Sequence, residues 1–346
     1  MNHDAQHGFA GLAEGPCIPV RRENVDSRAA SYPETTVTSC DGHAFVMRRT
    51  GKGAPILLLH DMAETQRAWE PIRHVLSWSN TVGTWDARGH GTSRGTPESG
   101  VPTLGLLAAD LDAAITACAP DCPVLVGHGL GALTILEYLR NYDPGRVSRV
   151  ILVDQSPRML AAPDWQLGLF SGFLAADARE FEAQIRANFA DAWLSLQARG
   201  CDAEARAEHE SHTGQQESLR RNLRQLASGS MLALWRSMLD RDYRADLARL
   251  QVPLLAVLGG GRNLYDCAQL GRWFLSFVPG AQVIRYPKAD HAPCAGAPAR
   301  FARDVVAFAA LRSPLTRHHI AVVAAKGAGA PALDGEPRLV CDKVAA

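Results

Sequence analysis

Residues 122–132 read Cys122-Pro-Val-Leu-Val-Gly-His-Gly-Leu-Gly-Ala132. A short apolar run, a cluster of glycines and a helix-compatible start predict a buried strand, a sharp turn and the first turn of a helix. This is the setting of the nucleophile elbow, G-x-S-x-G, in which a serine occupies a strained strand-to-helix turn. Here the five residues are Gly127-His128-Gly129-Leu130-Gly131. The position of the attacking side chain is held by Gly129, which has no nucleophilic atom.

Working outward, apolar runs alternate with helical patterns. Strands are expected at 35–39, 44–48, 55–59, 81–85, 124–126, 150–153, 253–258 and 282–286, and Asp41-Gly42 marks a hairpin between the first two. Helices are expected at 67–76, 104–117, 132–141, 267–277 and 298–311. Such alternation predicts an α/β fold with a mostly parallel sheet of about eight strands, covered on both faces. The stretch 157–246, rich in Ala, Leu, Arg and Glu, interrupts the pattern. It is read as a helical cap over the carboxyl ends of the strands, where open sheets bind ligands. The remaining division is a flexible arm at 1–33, a core at 34–156 and 247–312, and a mobile tail at 313–346.

Composition narrows the function. Among 346 residues, 36 basic and 36 acidic side chains balance, and no basic block suggests a nucleic-acid partner. No apolar run approaches the roughly 20 residues of a membrane span, and the N-terminus lacks a secretory pattern, so a cytoplasmic location is expected. The eight cysteines form no C-x-x-C pair and are read as free thiols. Cys294, three residues after His291, is too close along its loop to replace the elbow nucleophile. His209 and His212 share a helical spacing but lack further ligands.

Four segments together resemble the α/β-hydrolase superfamily, nearest to its small-esterase and haloperoxidase-like branch. They are Leu57-Leu-Leu-His-Asp-Met62, Trp85-Asp-Ala-Arg-Gly-His-Gly-Thr-Ser93, Val126-Gly-His-Gly-Leu-Gly-Ala132 and Tyr286-Pro-Lys-Ala-Asp-His-Ala-Pro293. The resemblance places His291 on the family's catalytic histidine and the amides of Met62 and Leu130 on its oxyanion hole. The usual acid position falls on Asn263, which cannot hold a negative charge, and Asp154 stands where some members carry the acid instead. His60, Asp61, His128, Trp165 and Phe170 are candidates to line the substrate site. Asp61 also departs from the glycine usual after His60.

Glycine adopts the elbow's backbone angles at little cost, so the loss of serine there is structurally easy. Without a hydroxyl there is no acyl-enzyme route through residue 129. The expected activity is therefore non-covalent chemistry on a small apolar carbonyl or ester-type metabolite, with His291 as base. Hydrolase, lyase, cyclase and isomerase reactions stay open. The resemblance implies no cofactor and no metal, and a homodimer is compatible with it. The rival reading is an inactive ligand-binding or regulatory protein; a further one is an ordinary serine esterase carrying a Ser-to-Gly change.

Overall fold

Along each central strand, successive side chains enter two separate cores, which is why these strands read as continuous apolar runs. Ile56, Leu58, Val126, Ile151 and Val257 face one core. Leu57, Leu125, Leu152 and Ala256 face the other. The computed structural model describes residues 33–93, 101–118, 121–199, 214–260, 264–311 and 322–323. The strands are β1 (Glu34–Thr38), β2 (Ala44–Thr50), β3 (Ala54–Leu59), β4 (Asn80–Thr84), β5 (Val124–His128), β6 (Arg149–Val153), β7 (Leu254–Gly259), β8 (Gln282–Tyr286) and β9 (Val322–Val323). They form one sheet in the order β1-β2-β4-β3-β5-β6-β7-β8-β9. The β1–β2 hairpin is antiparallel and so is the β2–β4 pairing. Every pairing from β4 to β9 is parallel.

The eight expected strands are thus present, with one addition. The stretch 313–346, read from sequence as a mobile tail, contributes β9, whose backbone pairs with Val283 and Ile284 of β8. The physical reason is the open edge of β8, whose unpaired amides and carbonyls are a template for another strand. The expected arm at 1–33 lies, up to residue 32, outside the described residues, as do Asn263, His209 and His212.

The longer helices are α1 (Glu70–Leu76), α2 (Leu104–Thr116), α3 (Leu130–Asn141), α4 (Ala175–Ala187), α5 (Phe189–Ala198), α6 (Gly214–Leu223), α7 (Ser228–Leu239), α8 (Cys267–Phe277) and α9 (Pro298–Ala309). Helices α1 and α9 pack together on one face of the sheet. Helices α2, α3 and α8 cover the other. Helix α3 begins at Leu130, two residues earlier than its sequence pattern suggested, because Gly129 is its N-cap, with φ 49° and ψ −110°. Helices α4 to α7 fall between β6 and β7. Met231, Leu234 and Trp235 of α7 belong to the same buried cluster as α2 and α3, and the Ser237 hydroxyl accepts from the Leu104 amide at 2.8 Å.

The loop after β4 is fixed by charge. Arg88 donates to both carboxylate oxygens of Asp110 on α2, at 2.7 Å each, and to Asp41 in the β1–β2 turn at 2.6 and 2.8 Å. Bidentate pairing of this kind holds geometry as well as charge. Asp86 in the same loop accepts from the amides of Gln66 and Thr92, each at 2.8 Å. The loop therefore cannot swing away from the β3 end that it buttresses.

Candidate active site

The carboxyl ends of β3, β5, β6 and β8 converge, and each delivers one piece of the site. After β3 come His60 and Asp61. After β5 comes the elbow. After β6 comes Asp154, and the loop after β8 brings His291. Asp154 is a non-glycine residue held at φ 44°, a backbone strain of about 1–3 kcal/mol that persists where the surroundings over-determine it. Its amide donates to Val257 at 2.7 Å, and its Oδ1 accepts from the Gly259 amide at 2.8 Å. That leaves Oδ2, fully buried, to accept from His291 Nδ1 at 2.8 Å. Asp154 and His291 are thus brought together as a pair.

The other ring nitrogen of His291 meets no hydroxyl. Its Nε2 faces Asp61 Oδ2 at 3.1 Å. Among the described residues, no serine, threonine or cysteine side chain bonds to the ring. Asp61 Oδ1 in turn accepts from the Leu130 amide at 2.7 Å. A Cβ on Gly129 would stand 1.8 Å from that same oxygen. The carboxylate of residue 61 therefore fills the volume that a side chain at 129 would occupy. The two departures seen separately in the sequence, Gly129 and Asp61, are one steric exchange.

This arrangement revises the expected oxyanion hole. Its Leu130 donor is bound by Asp61, while the Met62 amide has no hydrogen-bond partner among the described residues. The Met62 side chain is buried in the core.

Electrostatics follow from the row Asp154–His291–Asp61. Burial disfavours a charged ring, but hydrogen bonds to Asp154 and Asp61 outweigh it and raise His291 to about 10. Burial likewise acts to raise Asp61, yet the His291 hydrogen bond, the nearby His128 and the Leu130 amide hold it well below the usual carboxylate range. The expectation of His291 as a free base therefore meets a ring that carries a proton between two carboxylates. The Cys294 thiol is pushed far up by burial, which removes the thiolate needed for attack.

His128, beside the elbow, donates from Nε2 to the backbone carbonyl of His291 at 2.8 Å. Its Nδ1 is buried without a hydrogen-bond partner. The nearest acid, Glu64 Oε2, lies 3.6 Å away, and Glu64 also accepts from the Asp61 amide at 3.3 Å. His60 is occupied at both nitrogens. It contacts the Asp61 carbonyl through Nδ1 at 2.7 Å and accepts from the Ala87 amide at Nε2 at 2.9 Å, so it braces two loops.

The cap candidates lie among other partners. Trp165 donates from Nε1 to the Arg158 carbonyl at 2.9 Å and packs edge-on against Trp273. Phe170 meets Phe173 edge to face beneath Arg199, and its amide donates to Leu264 at 2.6 Å. That bond anchors the neighbour of Tyr265, whose ring lies 6.5 Å from His291 and whose hydroxyl accepts from Gln155 at 2.9 Å. Sequence reasoning passed over Tyr265 and Glu64. For Glu64 the available signal was a second acid three residues after Asp61; for Tyr265 there was none.

Comparison with known proteins adds the lineage. A family profile described as the alpha/beta hydrolase family matches residues 56–304. A pimeloyl-[acyl-carrier protein] methyl ester esterase of Aromatoleum aromaticum is 30% identical over 247 residues, covering 69% of this chain and 91% of that protein. Among solved structures, a bromoperoxidase from Bacillus anthracis superposes with a TM-score of 0.68 at 18% identity, covering 80% of this chain and 99% of that one. An esterase from Exiguobacterium antarcticum gives 0.67 at 16% identity, with the same two coverages.

Proposed function

Because this chain belongs to the α/β-hydrolase family, we propose that it is a hydrolase of small, largely apolar ester-type metabolites that works without a covalent serine, with water as the attacking group. The observation that supports this reading is Asp61, whose carboxylate stands between the Leu130 amide and His291 Nε2, where the missing hydroxyl would be. The relative named as a pimeloyl-[acyl-carrier protein] methyl ester esterase supports an ester as the bond broken. Proton traffic belongs to the row Asp154–His291–Asp61, since a ring held between two carboxylates can pass a proton without leaving its place. Asp154 fixes the orientation of the ring from behind, through an oxygen that nothing else uses.

The test is kinetic. The protein should hydrolyse p-nitrophenyl esters with no burst of product and no labelling by a fluorophosphonate. Asp61→Asn should abolish turnover. A stoichiometric burst in the wild type would overturn the reading. The rival, a ligand-binding protein that has lost its chemistry, is favoured by one observation: Asp61 occupies one of the two oxyanion donors. It predicts ligand affinity that survives Asp61→Asn and no ester turnover at any substrate concentration.

A further inference from the structure

Three side chains at this site can each offer a ligand atom to one point. Asp61, His128 and His291 present a carboxylate oxygen, an imidazole nitrogen and a second imidazole nitrogen, all within 4.8 Å of one another. We infer that these residues form a binding site for a divalent transition-metal ion, zinc by preference, and that a water on this ion is the nucleophile. The inference rests on the serine-free hydrolysis proposed above and supplies the agent that activates the water.

The argument lies in what the non-ligating atoms do. A histidine that binds metal nearly always donates its other ring N–H to a carboxylate or a backbone carbonyl, which fixes the ring and raises its basicity. Both rings meet that condition. His291 is bonded at Nδ1 to Asp154, and His128 donates from Nε2 to the His291 carbonyl. A ligating carboxylate is in turn hydrogen-bonded, and Asp61 Oδ1 accepts from Leu130. The atoms left over are His291 Nε2, His128 Nδ1 and Asp61 Oδ2.

A separate observation points the same way. His128 is 1% exposed, and its Nδ1 has no hydrogen-bond partner. A buried ring nitrogen without a hydrogen bond is costly, and a cation at this point would satisfy it. Glu64, 3.6 Å from the same atom, adds a third carboxylate to a pocket that already holds Asp61 and Asp154. Among the described residues, the ion-pair partners of these three carboxylates are the two imidazoles.

Geometry and ligand type select the ion. Two imidazoles and a carboxylate suit zinc, with the fourth position left for water, as in hydrolytic zinc sites. Tetrahedral bonds of roughly 2.0–2.2 Å bring ligand atoms about 3.3–3.5 Å apart. The His291–Asp61 contact of 3.1 Å is already near that separation, so contraction from at most 4.8 Å on the His128 side completes the set. Entry of the ion displaces the proton at His291 Nε2 into solvent. In the reaction, the oxygen of the bound water bonds to the acyl carbon, and the bond from that carbon to the alcohol oxygen breaks. One water proton leaves with the alcohol, and the acid product keeps the other until it ionises.

The experiment uses the full chain, freed of metal with a chelator and then titrated with zinc by equilibrium dialysis and elemental analysis. One zinc per chain is expected. His128→Ala and Asp61→Asn should each lower the affinity more than a hundredfold, and Asp154→Asn by roughly 10–100-fold, as for outer-shell partners. Cobalt(II) in the wild type should give the intense visible bands of a four-coordinate ion. His128→Gln, which can keep the N–H to the His291 carbonyl, covers the case in which the alanine variant does not fold. Zinc uptake unchanged by His128→Gln, or no uptake beyond that variant's, overturns the site. Ester hydrolysis that a chelator leaves intact and Asp61→Asn abolishes overturns the metal and keeps the proposed function. Zinc bound as expected with no ester turnover does the reverse.

Discussion

Two pairs of histidines sit at the carboxyl ends of this one sheet, and they differ in what faces their nitrogens. His60 and His90 meet edge to face with ring centroids 5.2 Å apart; His128 and His291 lie 4.7 Å apart. In the first pair, the amides of Ala87 and Ala63 donate into His60 Nε2 and His90 Nε2. A protonated ring cannot accept, so both rings are neutral and their Nδ1 atoms donate to the carbonyls of Asp61 and Arg88. In the second pair, among the described residues, no amide donates to a ring nitrogen; carboxylates face both nitrogens of His291 and stand 3.6 Å from Nδ1 of His128. Burial of an imidazole thus decides little by itself. Its partners decide whether it is mortar between loops or a chemical group.

The predictions test that division, and the largest effect belongs to the second pair. His291→Ala should lower kcat/KM for ester hydrolysis by roughly 10²–10⁴-fold, with the fold intact by circular dichroism. A stable variant that keeps wild-type turnover would place the chemistry elsewhere. Substitution in the first pair should instead lower stability. His60→Ala and His90→Ala each leave a half-buried amide without its acceptor, which costs up to about 1–3 kcal/mol beyond the lost packing. Urea unfolding would measure this, and a change below about 0.5 kcal/mol would argue that the bracing is unimportant.

A third prediction concerns the exchange between Gly129 and Asp61. Gly129→Ser alone should create no serine esterase, because its Cβ collides with Asp61 Oδ1. With Asp61→Gly added, a fluorophosphonate should label residue 129. The stabilities of the two single variants and the double should be non-additive by about 0.5–3 kcal/mol. Additive values would mean that the two positions do not share space.

A fourth test is a pH slope. Burial lowers His90 to about 3. The fold thus favours the neutral ring, whereas the unfolded chain takes up a proton near pH 6.5. The contribution of His90 is fully present above that pH and is lost as pH falls toward 3, at no more than about 1.4 kcal/mol per pH unit. In His90→Gln, which keeps an acceptor, the acid slope of the unfolding free energy should be shallower by that amount. An unchanged slope would show that His90 does not titrate on unfolding.

Much of this architecture was legible before any coordinates. The strand Gln282–Tyr286 and the helix Cys267–Phe277 fall where the sequence pattern put them, because the spacing of apolar residues over a few neighbouring positions is enough to mark an element. The convergence of Asp154 and His291 was implied by the resemblance to the hydrolase family. The meeting of Asp61 with both was not. Asp61 stands 69 residues from Leu130 and 230 from His291, and no local period encodes such distances. The strand at Val322–Val323 was missed for a related reason, since two residues carry no period and only the exposed edge of β8 makes them a strand.

By itself, then, the amino-acid order determined the strands and helices, the turn without an attacking hydroxyl, and the loops from which any chemistry must come. These depend on neighbours a few positions away: the two-residue alternation of strands, the 3.6-residue turn of helices, the freedom of glycine at positive φ. Only the tertiary structure decided that a carboxylate from β3 enters the empty place beside Gly129, and which histidines are neutral braces and which face acids. Both outcomes turn on contacts of about 3 Å between segments far apart in the chain, where burial magnifies each charge and each unpaired nitrogen.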